Sequence, residues 1–264
     1  GLDMLSIDLT KLIVEASLHI HVEKVERHAL PGTPTASLEA LTLFTNFAFE
    51  HSCSSSDDNL CWTALVPTPD KSGGWTQDAD EMRPIMVSSE IFKLRARILS
   101  SRLGNILMDN PHVLCPAQRG FLREDGAGQP VSVLLDAVED FLESQPRRPG
   151  QSLSVLLYDQ RKAFDRVQRY SLAASLRRLC FPEQFIKYVV SAFDGTRSSV
   201  RTSSGLTEPY DVLSGVRQGD PLAPLLYLIF LDTLLSGLEK NPLPVSTVAS
   251  TGFQFSNDEA EQFG

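Results

Sequence analysis

The 264-residue sequence predicts an α+β fold with an antiparallel sheet. Three observations predict it. Hydrophobic residues make up 42% of the chain, enough for a core in one large domain or two lobes. Segments of helical spacing are interleaved with short runs of strand character. The two kinds follow one another without regular βαβ order and without an internal repeat.

Taken in order, residues 3–20 read as a helix, with Leu5, Ile7, Leu12, Ile13 and Ala16 near helical spacing. "LPGTPT" at 30–35 is a break, and 37–49 form a second amphipathic helix. After the polar loop "HSCSSSDDN", residues 61–69 alternate loosely and end in prolines, which suits an edge strand. "DKSGGWTQDADEM" reads as a flexible tip. Residues 88–103 form a helix capped by Ser88 or Ser89, with Ile91, Phe92, Leu94, Ile98, Leu99 and Leu103 as its core stripe. A further helix covers 131–143, and "RRPGQS" turns into an apolar strand, 154–158, that stops at Asp159. Residues 172–180 and 182–193 are two helices, the second opened by Pro182. Residues 198–216 read as a hairpin with a glycine-containing turn. Residues 220–240 make a buried helix with Asp220 as cap and Pro221 at its first position. Beyond Asn241 the chain is polar and irregular.

The net charge is −9, which argues mildly against a polyanionic partner. The charge is uneven, however: residues 82–123 carry seven bases against two acids, and residues 161–201 carry nine against three. Those blocks are either solvated helix faces or a positive surface inside an acidic chain. The four cysteines form no Cys-x-x-Cys pair, and His51, Cys53 and Cys61 lack a fourth ligand at zinc spacing, so reduced structural thiols and an intracellular protein are expected. No signal peptide opens the chain, and the longest apolar stretch, Leu222 to Leu235, is broken by Asp232 and too short to span a bilayer. The first residue is Gly1, which suggests a fragment.

Two places carry chemistry. Asp159 at the end of a strand is a carboxylate on a rigid post, suited to a hard cation such as Mg²⁺; the alternative is a cap on the turn that follows. "GVRQGDPLAP" puts Gly219 between Gln218 and a helix start, where a backbone can approach a ligand and unpaired N–H groups suit phosphate or sugar; the alternative is a plain tight turn.

"LLYDQRKAFDRV" followed by "LSGVRQGDPLAPLLYLIFLD" resembles the reverse transcriptase domain of non-LTR (LINE-type) retrotransposons. Residues 62–103 are similar to that family's finger segment, and "CPAQRGFLREDG" to the Gln-x-Gly-Phe element that follows it. The four motifs stand in the family's order and cover about residues 60–240. The resemblance implies right-hand fingers and palm, with an antiparallel palm sheet packed on helices. Residues 1–60 would be an N-terminal helical extension, 61–150 fingers-like, 151–240 palm, and 241–264 an irregular end.

It implies that Asp159, with the carbonyl of Gln160, holds metal, two Mg²⁺ ions being expected and Mn²⁺ an alternative. Phe164 would sit under the nucleotide sugar and exclude a 2′-hydroxyl, or else be an ordinary core aromatic. Gln218 and Gly219 would line the nucleotide pocket, with Arg83 and Lys71 gripping the triphosphate. Arg95, Arg97, Arg102, Arg119 and Arg123 would face the template backbone. The implied partners are an RNA template, a DNA primer and deoxynucleoside triphosphates, in the nucleus and without a membrane; no oligomeric state follows. The family's paired-aspartate hairpin has no clear counterpart. "FSND" at 255–258 is a degraded copy, or the chain stops before the hairpin and thumb and polymerises nothing by itself. The alternatives are a catalytically dead remnant that only folds and binds RNA, and a chain with no stable fold because its palm sheet keeps an open edge.

Overall fold

The computed structural model describes residues 21–240 apart from 30, 56, 70–72, 123–127, 144–152, 154 and 156. The helix expected at 3–20, the "RRPGQS" turn and the end beyond Asn241 lie outside the described residues. The chain forms two compact units, Gly1–Ile106 with Lys162–Phe230 and Leu107–Arg161 with Leu231–Gly264.

The first unit opens with α1 (Val22–Glu26), which packs on α2 (Thr35–Glu50) and buries Val25 completely. The buried side of α2 is Leu38, Thr42, Thr45 and Phe49, a helical stripe. Its end is closed from elsewhere in the chain. The Gln184 side-chain amide donates to the carbonyls of Phe49 and Glu50, groups that a helix leaves without internal partners. Gln184 belongs to α6 (Glu183–Phe193), whose Tyr188 meets Phe49 edge-on at 4.7 Å. Before α6, helix α5 spans Arg169–Arg178.

The sheet comprises β1 (Leu60–Val66), β2 (Arg83–Val87), β3 (Arg197–Thr202), β4 (Gly205–Leu206) and β5 (Tyr210–Asp211). Its order is β2-β1-β3-β4, with β5 also on β3. β1 runs antiparallel to β2 but parallel to β3, so the sheet is mixed, not antiparallel throughout. The long helical connection between β1 and β3 is what permits parallel pairing. β1 is also not an edge strand: Pro67 and Pro69 lie past its last residue and remove no ladder donor. The edge is β2, and Pro84 sits within it. The expected hairpin is present as β3–β4, where Thr202 Oγ1 donates to the carbonyl of Gly205 at 2.8 Å and accepts from the N–H of Ser204 at 3.2 Å.

Helix α3 (Glu90–Asp109) is capped by Ser89, whose Oγ accepts the Phe92 N–H at 3.1 Å. Its buried line runs Phe92, Ala96, Leu99, Leu103, Leu107. Ile91, expected in the stripe, is 41% exposed because it stands about 100° around the helix from Phe92. Pro182 occupies the N-cap of α6 rather than its first turn. The long helix is α7 (Ala223–Lys240), so Pro221 lies ahead of it. Asp220 caps the preceding turn, its Oδ1 accepting the Leu222 N–H at 2.9 Å. Ala223, Leu225, Leu226, Leu228 and Ile229 are buried, as the apolar run requires.

In the second unit, a one-turn 3₁₀ helix (Pro111–Val113) leads to buried Leu114 and Cys115. Asp232, the charge that interrupts the apolar run, is fully buried and accepts the Cys115 N–H at 2.6 Å and the Ser236 hydroxyl at 3.3 Å. Burial and the nearby Glu239 push the Cys115 thiol pKa up. Helix α4 (Gly128–Glu143) has no buried residue, and Val131, Leu134, Leu135 and Leu142 are exposed. Of the strand expected at 154–158, Ser154 and Leu156 lie outside the described residues; Val155, Leu157 and Tyr158 have no regular structure and are exposed.

Candidate functional site

Within the first unit, two sequence motifs fold against each other. The turn Lys162–Val167 is closed by the Arg166 N–H donating to the Lys162 carbonyl at 3.1 Å and anchored by completely buried Val167. The loop Ser214–Asp220 docks on that turn through three hydrogen bonds. The Gly215 N–H donates to the Val167 carbonyl at 2.8 Å, the Val216 N–H to the Phe164 carbonyl at 3.0 Å, and the Ser214 hydroxyl to the Asp165 carbonyl at 3.0 Å. Gly215 has φ +89°, and a Cβ there would stand 2.8 Å from Asp165 Cα, so only glycine allows this approach.

The same loop seals the open edge of β2. The Met86 N–H donates to the Gln218 carbonyl at 2.7 Å. Gly219 has φ +108°, and a Cβ on it would meet the Met86 carbonyl oxygen at 2.7 Å. The sequence reading assigned this glycine's close approach to a ligand; within the protein, the backbone it approaches is that of β2. Gly219 is exposed on its other side, Gln218 is half-buried, and β2 begins with exposed Arg83.

Phe164 is half-buried and its ring stacks on Tyr227 of α7, with centroids 5.0 Å apart and planes 19° from parallel. The ring is thereby held in one orientation. The next residue, Asp165, is half-buried, and burial raises its pKa while Lys162 lowers it. Asp220 is buried, and burial raises its pKa to about 6 against the opposing pull of the Leu222 N–H and Arg217. Its Oδ2 has no partner among the described residues.

Behind the corner stands a buried polar network that sequence reasoning missed. Arg217 is 2% exposed. Its Nη1 donates to the Asp58 carbonyl at 3.0 Å, and its Nη2 to Asn59 Oδ1 at 3.2 Å, the Ala192 carbonyl at 2.8 Å and Thr196 Oγ1 at 2.8 Å. The guanidinium also lies over the Phe92 ring at 4.3 Å. Burial lowers its pKa from the ordinary arginine value. The Asp58 carboxylate pairs with Arg95 and accepts from Ser55 N–H at 3.0 Å and Ser89 Oγ at 3.1 Å. Burial opposes its charge, but Arg95 and Ser55 hold its pKa below the usual carboxylate range. One signal was present: Ser55-x-x-Asp58 is a reciprocal capping pattern, and the Asp58 N–H indeed donates to Ser55 Oγ at 3.2 Å.

Arg95 is therefore not a template contact; it is completely buried against Asp58. Arg95 stands about 200° around α3 from Arg97, on the face turned to the core. Arg97 keeps a side chain 42% exposed, with Glu90 at 3.9 Å. Arg102 is half-buried in the first unit and Arg119 half-buried in the second. Lys71 and Arg123 lie outside the described residues. Much of the formal positive charge is matched locally: Arg169 with Asp194, Arg177 with Glu183, Arg197 with Asp211 and Lys162 with Asp80.

Asp159 and Gln160 belong to the second unit, where Asp159 is exposed and Gln160 half-buried. Among the described residues, no group of three or more His, Cys, Asp or Glu side chains could hold a metal ion. Among the described residues, therefore, Asp159 stands without the further carboxylates that a two-metal centre needs. No helix among the described residues is long and apolar enough to cross a membrane.

Comparison with known proteins places these motifs. A family model described as reverse transcriptase (RNA-dependent DNA polymerase) matches residues 69–254. The chain is 34% identical over 182 residues to the retrovirus-related Pol polyprotein from type-1 retrotransposable element R2 of Popillia japonica, covering 69% of this chain and 24% of that protein. It is 30% identical over 158 residues to the corresponding polyprotein of element R2DM of Drosophila melanogaster, covering 60% of this chain and 14% of that protein. It is 32% identical over 158 residues to a protein of transposon TX1 of Xenopus laevis, covering 60% of this chain and 12% of that protein. The chain spans a quarter or less of the length of these curated relatives.

Proposed function

The chain belongs to the reverse transcriptase family, in its non-LTR, LINE-type branch, and from that membership we propose that it serves RNA-templated DNA synthesis, as part of the fingers and palm of a retrotransposon polymerase. The reaction is attack of a primer 3′-hydroxyl on the α-phosphate of a deoxynucleoside triphosphate, in the nucleus, where the DNA that receives the copy lies. The observation that carries the reading is the docking of the Phe164 turn onto the Gln218–Gly219 loop within one unit, with β2, which begins at Arg83, joined to that loop through Met86.

Each residue then has a task. Arg83, exposed at the start of β2, grips triphosphate oxygens by charge-assisted hydrogen bonds. Gln218 and the open side of Gly219 border the base and sugar. Phe164 rejects a 2′-hydroxyl, and its stack on Tyr227 supplies the rigidity that steric rejection needs. Arg97, Arg102 and Arg119 contribute sequence-independent attraction to the template backbone. Polymerases of this family use divalent metal ions; Asp159 and the Gln160 carbonyl would supply part of the donors for Mg²⁺, with Mn²⁺ as an alternative. Family membership does not favour the alternative of a dead remnant that only binds RNA.

The test is nucleotide binding by the 264-residue chain. A fluorescent deoxynucleoside triphosphate should bind saturably and be displaced by dATP better than by ATP. Phe164→Val should remove most of that preference. Absence of saturable binding, or an unchanged preference in the variant, would overturn the reading.

A further inference from the structure

The family match begins at residue 69, and the segment before it has no role in the reaction described above. The structure ties that segment to the loop at the centre of the site. We propose that the 3₁₀ turn Asp57–Asn59 is a positioning element, which acts through Arg217 to fix the Gln218–Gly219 corner against β2. As a claim about nucleotide binding, this rests on the reading of that corner given above; as a claim about the backbone, it stands on geometry alone.

Arg217 immediately precedes the corner. Its backbone carbonyl accepts the Asp220 N–H at 3.0 Å, so it closes the turn that Gln218 and Gly219 form. Its side chain runs the other way, into the core. Two of the atoms that receive it come from the 3₁₀ turn, the Asp58 carbonyl and Asn59 Oδ1. The remainder come from Ser88, just after β2, and from Ala192 and Thr196, at and after the end of α6. A guanidinium with planar donors pointing to acceptors on three separate segments has few permitted orientations. The 3₁₀ turn is fixed in its own right: the Asp58 carboxylate pairs with Arg95 of α3, and Ser55 and Asp58 cap each other. Orientation therefore passes from Arg95 to Asp58, from Asp58 and Asn59 to Arg217, and from Arg217 to the corner. The far end of that chain is the 2.7 Å bond from the Met86 N–H to the Gln218 carbonyl.

Asn59 is the cleanest place to intervene. It is half-buried and lies outside the family match, and Asn59→Ala removes one acceptor from Arg217 without leaving a charge unpaired. Hydrogen exchange at the Met86 amide reads the corner, with the amides of the β3–β4 hairpin as an internal reference. The proteins compared are the full chain, Asn59→Ala, Arg217→Lys and the double variant. Asn59→Ala should speed Met86 exchange about tenfold relative to the reference, the size of one hydrogen bond to a charged group. Arg217→Lys should speed it more, because an ammonium cannot reach acceptors on three segments at once. The double variant should exchange no faster than Arg217→Lys alone, since Asn59 acts through the side chain already replaced. Met86 exchange that follows the reference in every variant, or additive effects, would overturn the proposal.

Displacement of the fluorescent nucleotide by dATP separates this inference from the functional one. A tenfold loss of dATP affinity in Asn59→Ala, with RNA retention on filters unchanged, supports both. Accelerated Met86 exchange with dATP affinity unchanged upholds the positioning of the backbone and removes the corner from the nucleotide pocket. A wild-type chain that binds no dATP removes the functional reading, and the exchange measurement still decides the structural one.

Discussion

Gly215→Ala is the substitution that most directly probes the contact on which the site is built. The residue has φ +89°, a conformation that costs an alanine about 1–2 kcal/mol. The added Cβ would also lie 2.8 Å from Asp165 Cα and 3.0 Å from both the Asp165 and Phe164 carbonyl oxygens. All three are backbone atoms, with no flexible end to swing aside. Relief requires the turn and the loop to separate, which strains the bonds Gly215–Val167, Val216–Phe164 and Ser214–Asp165. At about 1 kcal/mol each, partial loss of these brings the total to about 3–5 kcal/mol. Gly205→Ala is the control: its φ is +122°, but nothing lies within 4 Å of the added carbon. It should cost only the backbone strain, about 1–2 kcal/mol. Urea unfolding of the full chain, followed by fluorescence and circular dichroism to check for a single transition, gives both values. If the two variants differ by less than about 0.5 kcal/mol, the close docking of the Phe164 turn on this loop is wrong.

Asp58→Ala should destabilise by about 3–5 kcal/mol because it strands a buried guanidinium, whereas Arg95→Met, which leaves the carboxylate its serine donors, should cost under about 2 kcal/mol; denaturant midpoints compare them. Asp220 has a folded pKa of about 6 against an ordinary value of 3.8, so the folded state binds its proton more tightly. Its contribution to stability is then full below about pH 4 and is lost as pH rises through about 6. Relative to Asp220→Asn, the wild type should gain up to about 3 kcal/mol between pH 7 and pH 4, and a difference independent of pH would contradict the buried carboxyl. Arg97→Ala and Arg102→Ala should each weaken RNA retention on filters and flatten its salt dependence, while Arg95→Met should leave retention unchanged; retention no better than that of an unrelated acidic protein would remove the RNA contact.

The elements legible in the sequence are those whose signal is local. Helices α2, α3, α6 and α7 announce themselves by apolar spacing within a few turns, and Ser89 by its place before such a run. The sheet is different, because pairing joins distant segments. The prolines after β1 suggested an edge, yet β1 lies between strands that begin at Arg83 and Arg197, and neither partner can be read from residues 60–69. Val155, Leu157 and Tyr158 show the converse: they are apolar, yet they are exposed and have no regular structure. Charge was misread for a similar reason. Arg95 and Arg102 look alike in sequence, and what removes Arg95 from the surface is an aspartate 37 positions earlier.

The motif around Gln218 joins both cases. Gly219 is legible as a glycine with a purpose because it stands before a helix start, whereas Gly215 drew no such reading; both occupy a positive φ and leave no room for a Cβ. Their partners are not legible, since Gly215 rests on Asp165 and Gly219 on Met86, contacts made by backbone atoms that carry no side-chain signature. Arg217 stands between them and, being charged, suggests the surface, yet it is the residue through which the loop is held to the core. A loop fixed by two backbone contacts and one buried cation can present Gln218 and the open side of Gly219 without their own side chains or surroundings having to hold them. That division suits the proposed binding corner: exposed atoms could face a ligand, while the groups that fix their position are buried.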